Sequence, residues 1–343
     1  TFALLCLSPL LEAAQPNFVI IMADDLGYGD IGCYGSGKIK TPNLDALAKG
    51  GLRFTDFHSN GAVCSPTRAA LMTGRYQQRS GVGGVITAAR HREVGLAVSE
   101  TTFADTLGEV GYKTAIFGKW HLGYAKEFNP VKNGFGEFRG YVSGNVDFFS
   151  HIDQEGYEDW WKNDALHPEE GYTTHLITRH GVRFIKEHKD KHFCLYLPYE
   201  PPHYPYQGPG DKAQREKGNK KGKVVGGRSD IATVYREMVE EMDKGIGEIL
   251  ATLRENGLTE NTLVFFCSDN GANRNGSNGS LKGHKGQIWE GGHRVPAIAS
   301  WPGKIEAGTE TDTTVLSMDL FPTMLDAAGI AAIPSLDGAS LLP

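Results

Sequence analysis

Cysteine is scarce in this chain, with five in 343 residues. That is too few and too scattered for a disulfide framework, and no Cys/His cluster has zinc spacing. Positive charge is not in excess either. The formal net charge is −6, which gives no case for a nucleic-acid partner and weakly disfavours a polyanion drawn in by long-range attraction. No apolar run is long enough for a stable membrane span. Residues 2–11 are apolar but short, and Glu12-Ala13-Ala14-Gln15 follows them. Residues 1–15 therefore read as part of a secretory signal, with Glu12 imperfect for a cut after Ala14. Export follows, to a periplasmic, extracellular or lysosome-like space. Internal repeats are missing as well, which excludes solenoids and arrays.

What is present is alternation. Asn17-Phe18-Val19-Ile20-Ile21-Met22 is a continuous apolar run ending in Ala23-Asp24-Asp25. Similar runs recur at 113–117, 193–197, 262–267 and 295–301. Continuous runs suit strands buried on both faces of a parallel sheet. Helical stretches lie between them: 42–49, with Thr41 as N-cap and Pro42 in the first turn; 101–110; and 231–256, ending at Gly257. The fold class is α/β with a mostly parallel sheet flanked by helices. Ligands of such sheets gather beyond the carboxyl ends of the strands. Four runs lead there into polar residues: Asp24-Asp25, Gly118-Lys119-Trp120-His121, Pro201-Pro202-His203 and Ser268-Asp269-Asn270-Gly271.

Asp24, Asp25, Asp269 and Asn270 form an all-oxygen donor set, which suits Ca²⁺ or Mg²⁺. Taken singly, each would as readily cap a helix or turn. Cys64 opens Cys64-Ser65-Pro66-Thr67-Arg68, which starts a helix with proline in its first turn. An anionic nucleophile at position 64 would be stabilised by the helix N-terminus, and Arg68 lies one turn on. Lys119 and His121, two apart, share one side of an extended segment. His203 sits in a proline-stiffened loop, and Lys285 in a Gly-rich one. Two Lys, an Arg and two His beside a metal and a nucleophile are what a tetrahedral oxyanion requires. Cys194 and Cys267 read as small core hydrophobes. A Cys33–Cys64 bridge is conceivable in an exported protein, but it would consume the nucleophile.

These motifs resemble those of the type I, formylglycine-dependent sulfatases. The resemblance rests on Asp24-Asp25-Leu26-Gly27-Tyr28-Gly29-Asp30, the Cys-x-Pro-x-Arg pattern continued through Tyr76, and Gly118-Lys119-Trp120-His121-Leu122-Gly123. Ser268-Asp269-Asn270-Gly271, Glu290-Gly291-Gly292-His293-Arg294-Val295-Pro296 and Asp319-Leu320-Phe321-Pro322-Thr323 fit too. The resemblance spans roughly residues 17–343 and implies an alkaline-phosphatase-like core. The catalytic domain would occupy 16–343, cut short of a smaller C-terminal subdomain.

By the resemblance, Cys64 is oxidised to formylglycine by a separate maturation enzyme and joins Asp24, Asp25, Asp269 and Asn270 around Ca²⁺. Arg68, Lys119, His121, His203 and Lys285 surround the nucleophile and the sulfate. A mid-chain hydroxyl contact falls to Ser143 or Ser150. The implied reaction is S–O cleavage of a sulfate ester. A hydrated aldehyde attacks sulfur, His203 protonates the departing alcohol, and His121 deprotonates the second hydroxyl to release sulfate. The substrate is expected to be a sulfated carbohydrate or an aryl sulfate, selected by loops 76–100, 143–167 and 204–228. The basic stretch 211–228 is a solvated loop or a grip for an anionic polymer. A phosphonate or phosphate ester hydrolase on the same core is the alternative, and a non-catalytic sulfated-glycan binder a further one.

Overall fold

The computed structural model describes residues 15–219 and 226–342. The expected signal segment, apart from Gln15, lies outside them, as do Cys6 and part of the basic loop. Strands are β1 (Asn17–Ala23), β2 (Leu52–Phe54), β3 (Phe57–His58), β4 (Lys113–Lys119), β5 (Glu137–Tyr141), β6 (Trp161–Lys162), β7 (Ala165–Leu166), β8 (Phe193–Pro198), β9 (Thr262–Ser268), β10 (Ala297–Ser300), β11 (Thr309–Thr311) and β12 (Val315–Leu316). Helices are α1 (Pro42–Lys49), α2 (Cys64–Thr73), α3 (Phe103–Glu109), α4 (Thr173–Glu187), α5 (Ile231–Glu255), α6 (Glu290–His293) and α7 (Leu320–Ala327).

Ten strands form one sheet in the order β11-β2-β10-β9-β1-β8-β4-β5-β6-β7, and β3 pairs with β12 apart from it. The five central strands, β9 through β5, run parallel. Antiparallel pairing is confined to the flanks, where β10 meets β9 and β2, and β6 meets β5 and β7. β1 is buried at every position, so both of its faces need apolar cover. Phe18, Ile20 and Met22 join a core with residues of α2, α3 and α7. Val19, Ile21 and Ala23 join a second with α1, α4 and α5. Each fully buried Ile or Val stabilises the fold by about 1.5–3 kcal/mol, which is why the runs are unbroken by polar residues.

Two local expectations need correction. Thr41 stands at the N-cap of α1, but its hydroxyl does not cap the helix. It accepts from Gly32 N and donates to Asp45. The first amides of α1 are met instead by Asp243, from the middle of α5, which accepts from Asn43 N at 3.1 Å and Leu44 N at 2.8 Å. The extended segment expected through Lys119 and His121 ends at Lys119, because His121 adopts a left-handed φ of 57°. Among the described residues Cys33, Cys64, Cys194 and Cys267 are all free thiols, so no Cys33–Cys64 bridge forms. No described helix is long and apolar enough to cross a membrane.

Candidate active site

Register brings the acidic pairs together. Ala23 on β1 lies opposite Ser268 on β9, so Asp24-Asp25 and Asp269-Asn270 leave adjacent strand ends side by side. Asp269 N donates to Ala23 O at 3.1 Å, and Asp25 N donates to Asp269 Oδ1 at 3.2 Å. β4 ends nearby at Lys119, whose Nζ is 2.6 Å from Asp24 Oδ2. Gly118 allows this approach, since a Cβ there would fall 2.1 Å from Pro198 O on β8.

Cys64 is the first residue of α2, and its Sγ is 3.6 Å from Asp24 Oδ1. One turn on, Arg68 donates from Nε and Nη2 to Asp269 Oδ2 at 3.1 and 2.7 Å, and from Nη1 to Lys119 O. α2 is buried along its whole length, so its free N-terminal amides face the cluster through protein rather than through water. Lys285 reaches in from a loop pinned by Lys285 N to Ala272 O and Gly286 N to Ala62 O. Its Nζ is 2.6 Å from Asp25 Oδ1. His203 follows β8. Its Nε2 lies 3.8 Å from Asp25 Oδ2, and its Nδ1 donates to Tyr204 O.

His121 is buried. Its Nε2 is 2.9 Å from Ile86 O, and its Nδ1 has no partner. A carbonyl can only accept, so Nε2 carries the proton and Nδ1 the lone pair. Burial, with Lys119 and Arg68 nearby, holds its pKa well below the usual histidine value, so the ring is neutral.

Three carboxylates, Asp24, Asp25 and Asp269, face three fixed cations, Lys119, Arg68 and Lys285. Their burden is uneven. Burial and Asp269 push Asp24 up to about 7, against the pull of Lys119 and Arg68. Burial opposes ionisation of Asp25 too, yet Lys285 and His203 hold it well below the usual carboxylate range. Asp269 is likewise held low, against its burial, by Arg68 and Lys119. One ligand atom from each of Asp24, Asp25, Cys64 and His203 lies within 4.8 Å of the others. Asn270 Oδ1 is buried without a hydrogen-bond partner beside them. An orphaned amide oxygen and a carboxylate driven toward neutrality both fit a hard divalent cation. Such an ion would leave the balanced site with net positive charge for an anionic substrate.

Neither hydroxyl candidate points to the cluster. Ser143 Oγ donates to Asn145 O and Ser150 Oγ to Arg215 O. Gly144, beside Ser143, does abut His121, with an ideal Cβ 2.8 Å from Nε2. Sequence reading missed the supports. Asn273 Nδ2 lies 3.4 Å from Asp25 Oδ2 and is held by Tyr206. Asp30 fixes the 24–30 turn by accepting from Gly27 N, Ser277 N and Tyr235 Oη. Asp30 lay in a quoted motif; for Asn273 and Tyr206 the sequence carried no signal.

The family model described as Sulfatase matches residues 16–330. N-acetylgalactosamine-6-sulfatase of Canis lupus familiaris is 36% identical, covering 96% of this chain and 65% of its own length. Arylsulfatase A of Homo sapiens is 35% identical, covering 97% and 68%. The chain thus spans about two thirds of the length of the curated relatives it matches. Among solved structures, Ps i-CgsB in complex with k-i-k-neocarrahexaose superposes with a TM-score of 0.85 at 33% identity, covering 96% of this chain and 76% of that one. A family match over residues 16–330, a span that includes all four strand ends and the Cys64 helix, places this chain in the sulfatase family.

Proposed function

We propose that the protein hydrolyses a sulfate ester with S–O cleavage, and that its substrate is a sulfated carbohydrate or aryl sulfate. The observation that carries this reading is the seat of Cys64: first residue of a buried helix, 3.6 Å from Asp24, with Arg68 one turn on. Asp24, Asp25, Asp269, Asn270 and the residue-64 side chain would hold Ca²⁺ or Mg²⁺, which supplies Lewis acidity when bound. Formylglycine, made from Cys64 by a maturation enzyme, supplies when hydrated one hydroxyl to attack sulfur and a second to expel sulfate.

The remaining work falls to fixed side chains. Arg68, Lys119 and Lys285 balance charge on the sulfuryl oxygens, already oriented by their carboxylate partners. His203 gives the proton at Nε2 to the departing alcohol; its Nδ1–H is committed to Tyr204 O, and its Nε2 faces Asp25 Oδ2 at 3.8 Å. His121, neutral with a free lone pair at Nδ1, accepts the proton of the second hydroxyl. The names of the compared proteins support a sulfated carbohydrate. Export is supported by the apolar stretch at 2–11.

Co-expression with a maturation enzyme should convert the residue-64 peptide from thiol to aldehyde by mass spectrometry. The matured protein should release sulfate from an aryl sulfate or from a member of a panel of sulfated saccharides. A retained thiol with no sulfate release would sink this reading. Faster turnover of the matching aryl phosphate would favour the phosphate or phosphonate ester alternative.

A further inference from the structure

Two histidines outside the carboxylate cluster face each other across a seam. His58 ends β3 and His293 ends α6. Ser59 N donates to His293 O at 2.8 Å, and His58 bridges to Arg294. The two Nδ1 atoms are 2.9 Å apart. Each Nε2 has a partner of its own: Asp56 Oδ1 at 3.1 Å for His58, and Ile288 O at 3.3 Å for His293. A carboxylate and a carbonyl can only accept, so both Nε2 atoms carry a proton, and in two neutral rings both Nδ1 atoms present lone pairs. Two lone pairs at 2.9 Å repel unless positive charge lies between them. The carboxylate of Glu290 completes the group, with one oxygen and one nitrogen of each ring within 4.8 Å of one another.

We infer that His58, His293 and Glu290 bind a divalent first-row transition ion of the Zn²⁺ type. Imidazole nitrogen and carboxylate oxygen are ligands such ions prefer, whereas the all-oxygen set at Asp24 suits a harder cation. Ligand distances of about 2.0–2.2 Å require the two nitrogens to part by a few tenths of an ångström. That is a small adjustment for half-buried rings. Asp56 accepting from His58 Nε2 is the arrangement that orients and strengthens a metal-bound histidine. The charge is suitable. Asp56 and Glu290 share one guanidinium, Arg294, at 3.3 and 3.2 Å, so the surroundings remain net negative. A bound ion would staple β3, which leads into the Cys64 helix, to α6, which follows the Lys285 loop. It is a site of structure rather than of chemistry.

The test uses the whole protein with excess Ca²⁺ present, so that the oxygen site is occupied, and titrates Zn²⁺ by calorimetry. One tight equivalent is expected. His58→Gln and His293→Gln should each weaken it at least about 100-fold, and Asp56→Ala about 10–100-fold. Cu²⁺ bound to the unsubstituted protein should show hyperfine splitting from two nitrogens, a readout that needs no variant. Failure to take up zinc, as when the rings merely share a proton, overturns the inference. So does uptake that survives both glutamine substitutions, or a copper spectrum without nitrogen.

Discussion

Asp24, Asp269, Lys119 and Arg68 are sealed from solvent, while Ile288 and Trp289, three and four residues past Lys285, are 87% and 48% exposed. The first group hangs from the ends of central parallel strands and one buried helix. Its ion pairs have no water to fall back on, so each charge is committed to a partner. The second group stands on a loop, with Lys282 Nζ 3.8 Å from the centre of the Trp289 ring. Positions that must hold charges in place are thus built from the core outward. Exposed loop positions are left free to change without disturbing it. Tyr76, Tyr157 and Tyr204 are exposed on loops as well.

The sharpest way to break this comparison is at Cys64. Cys64→Ala should lower turnover at least about a thousandfold. The folded state should lose no more than about 1.5 kcal/mol, read by denaturant midpoint. Normal activity in that variant would end the catalytic reading. Next, Arg68→Ala leaves Asp269 buried and unpaired and should cost about 3–5 kcal/mol. By contrast Arg79→Ala, which removes an exposed pair with Asp337, should cost under about 1 kcal/mol. Equal costs would erase the distinction between the two regions.

His151 offers an intermediate effect within loop 143–167. It stacks on Trp160 with ring centroids 4.5 Å apart, and burial holds its pKa down to about 4. The unfolded chain takes up that proton first, so the native state binds fewer protons between pH 6.5 and 4. Its contribution is full above the ordinary histidine value and is lost as pH falls toward 4, by up to about 3 kcal/mol. His151→Asn, which tolerates the left-handed backbone, should flatten the pH dependence of the denaturant midpoint in that window. An unchanged slope would place the effect elsewhere. The smallest effect is expected at Trp289→Ala: stability within about 0.5 kcal/mol of the parent. KM for a sulfated oligosaccharide should rise about two- to tenfold while kcat for a small aryl sulfate is unchanged. Loss of kcat for both substrates would move Trp289 into the inner group.

The central strands were legible because burial on both faces forces a continuous apolar run: 17–22 against the observed Asn17–Ala23, 193–197 against Phe193–Pro198. α1 and α5 were legible from Pro42 and from Gly257 beyond a long amphipathic stretch. The supports of the site were not, because their partners are remote in the chain. Asp243 meets α1 from 200 residues away, and Asn273 reaches Asp25 across 248. The turn that gives His121 its neutral ring and free Nδ1 depends on Ile86 O, which no local pattern announces.

Sequence by itself determined the residue types of the chemistry, the elements that carry them and the end of the sheet where they gather. Local patterns suffice for that, since periodicity and strand-end polarity are written within a few residues. Only the tertiary structure decided that 262–268 lies beside 17–23 and that 193–198 separates it from 113–119. It likewise decided which charge pairs with which carboxylate, and that His58 meets His293. Those outcomes depend on strand order and on side-chain contacts across hundreds of residues, where packing and desolvation of the whole core choose among pairings that the local sequence leaves equivalent.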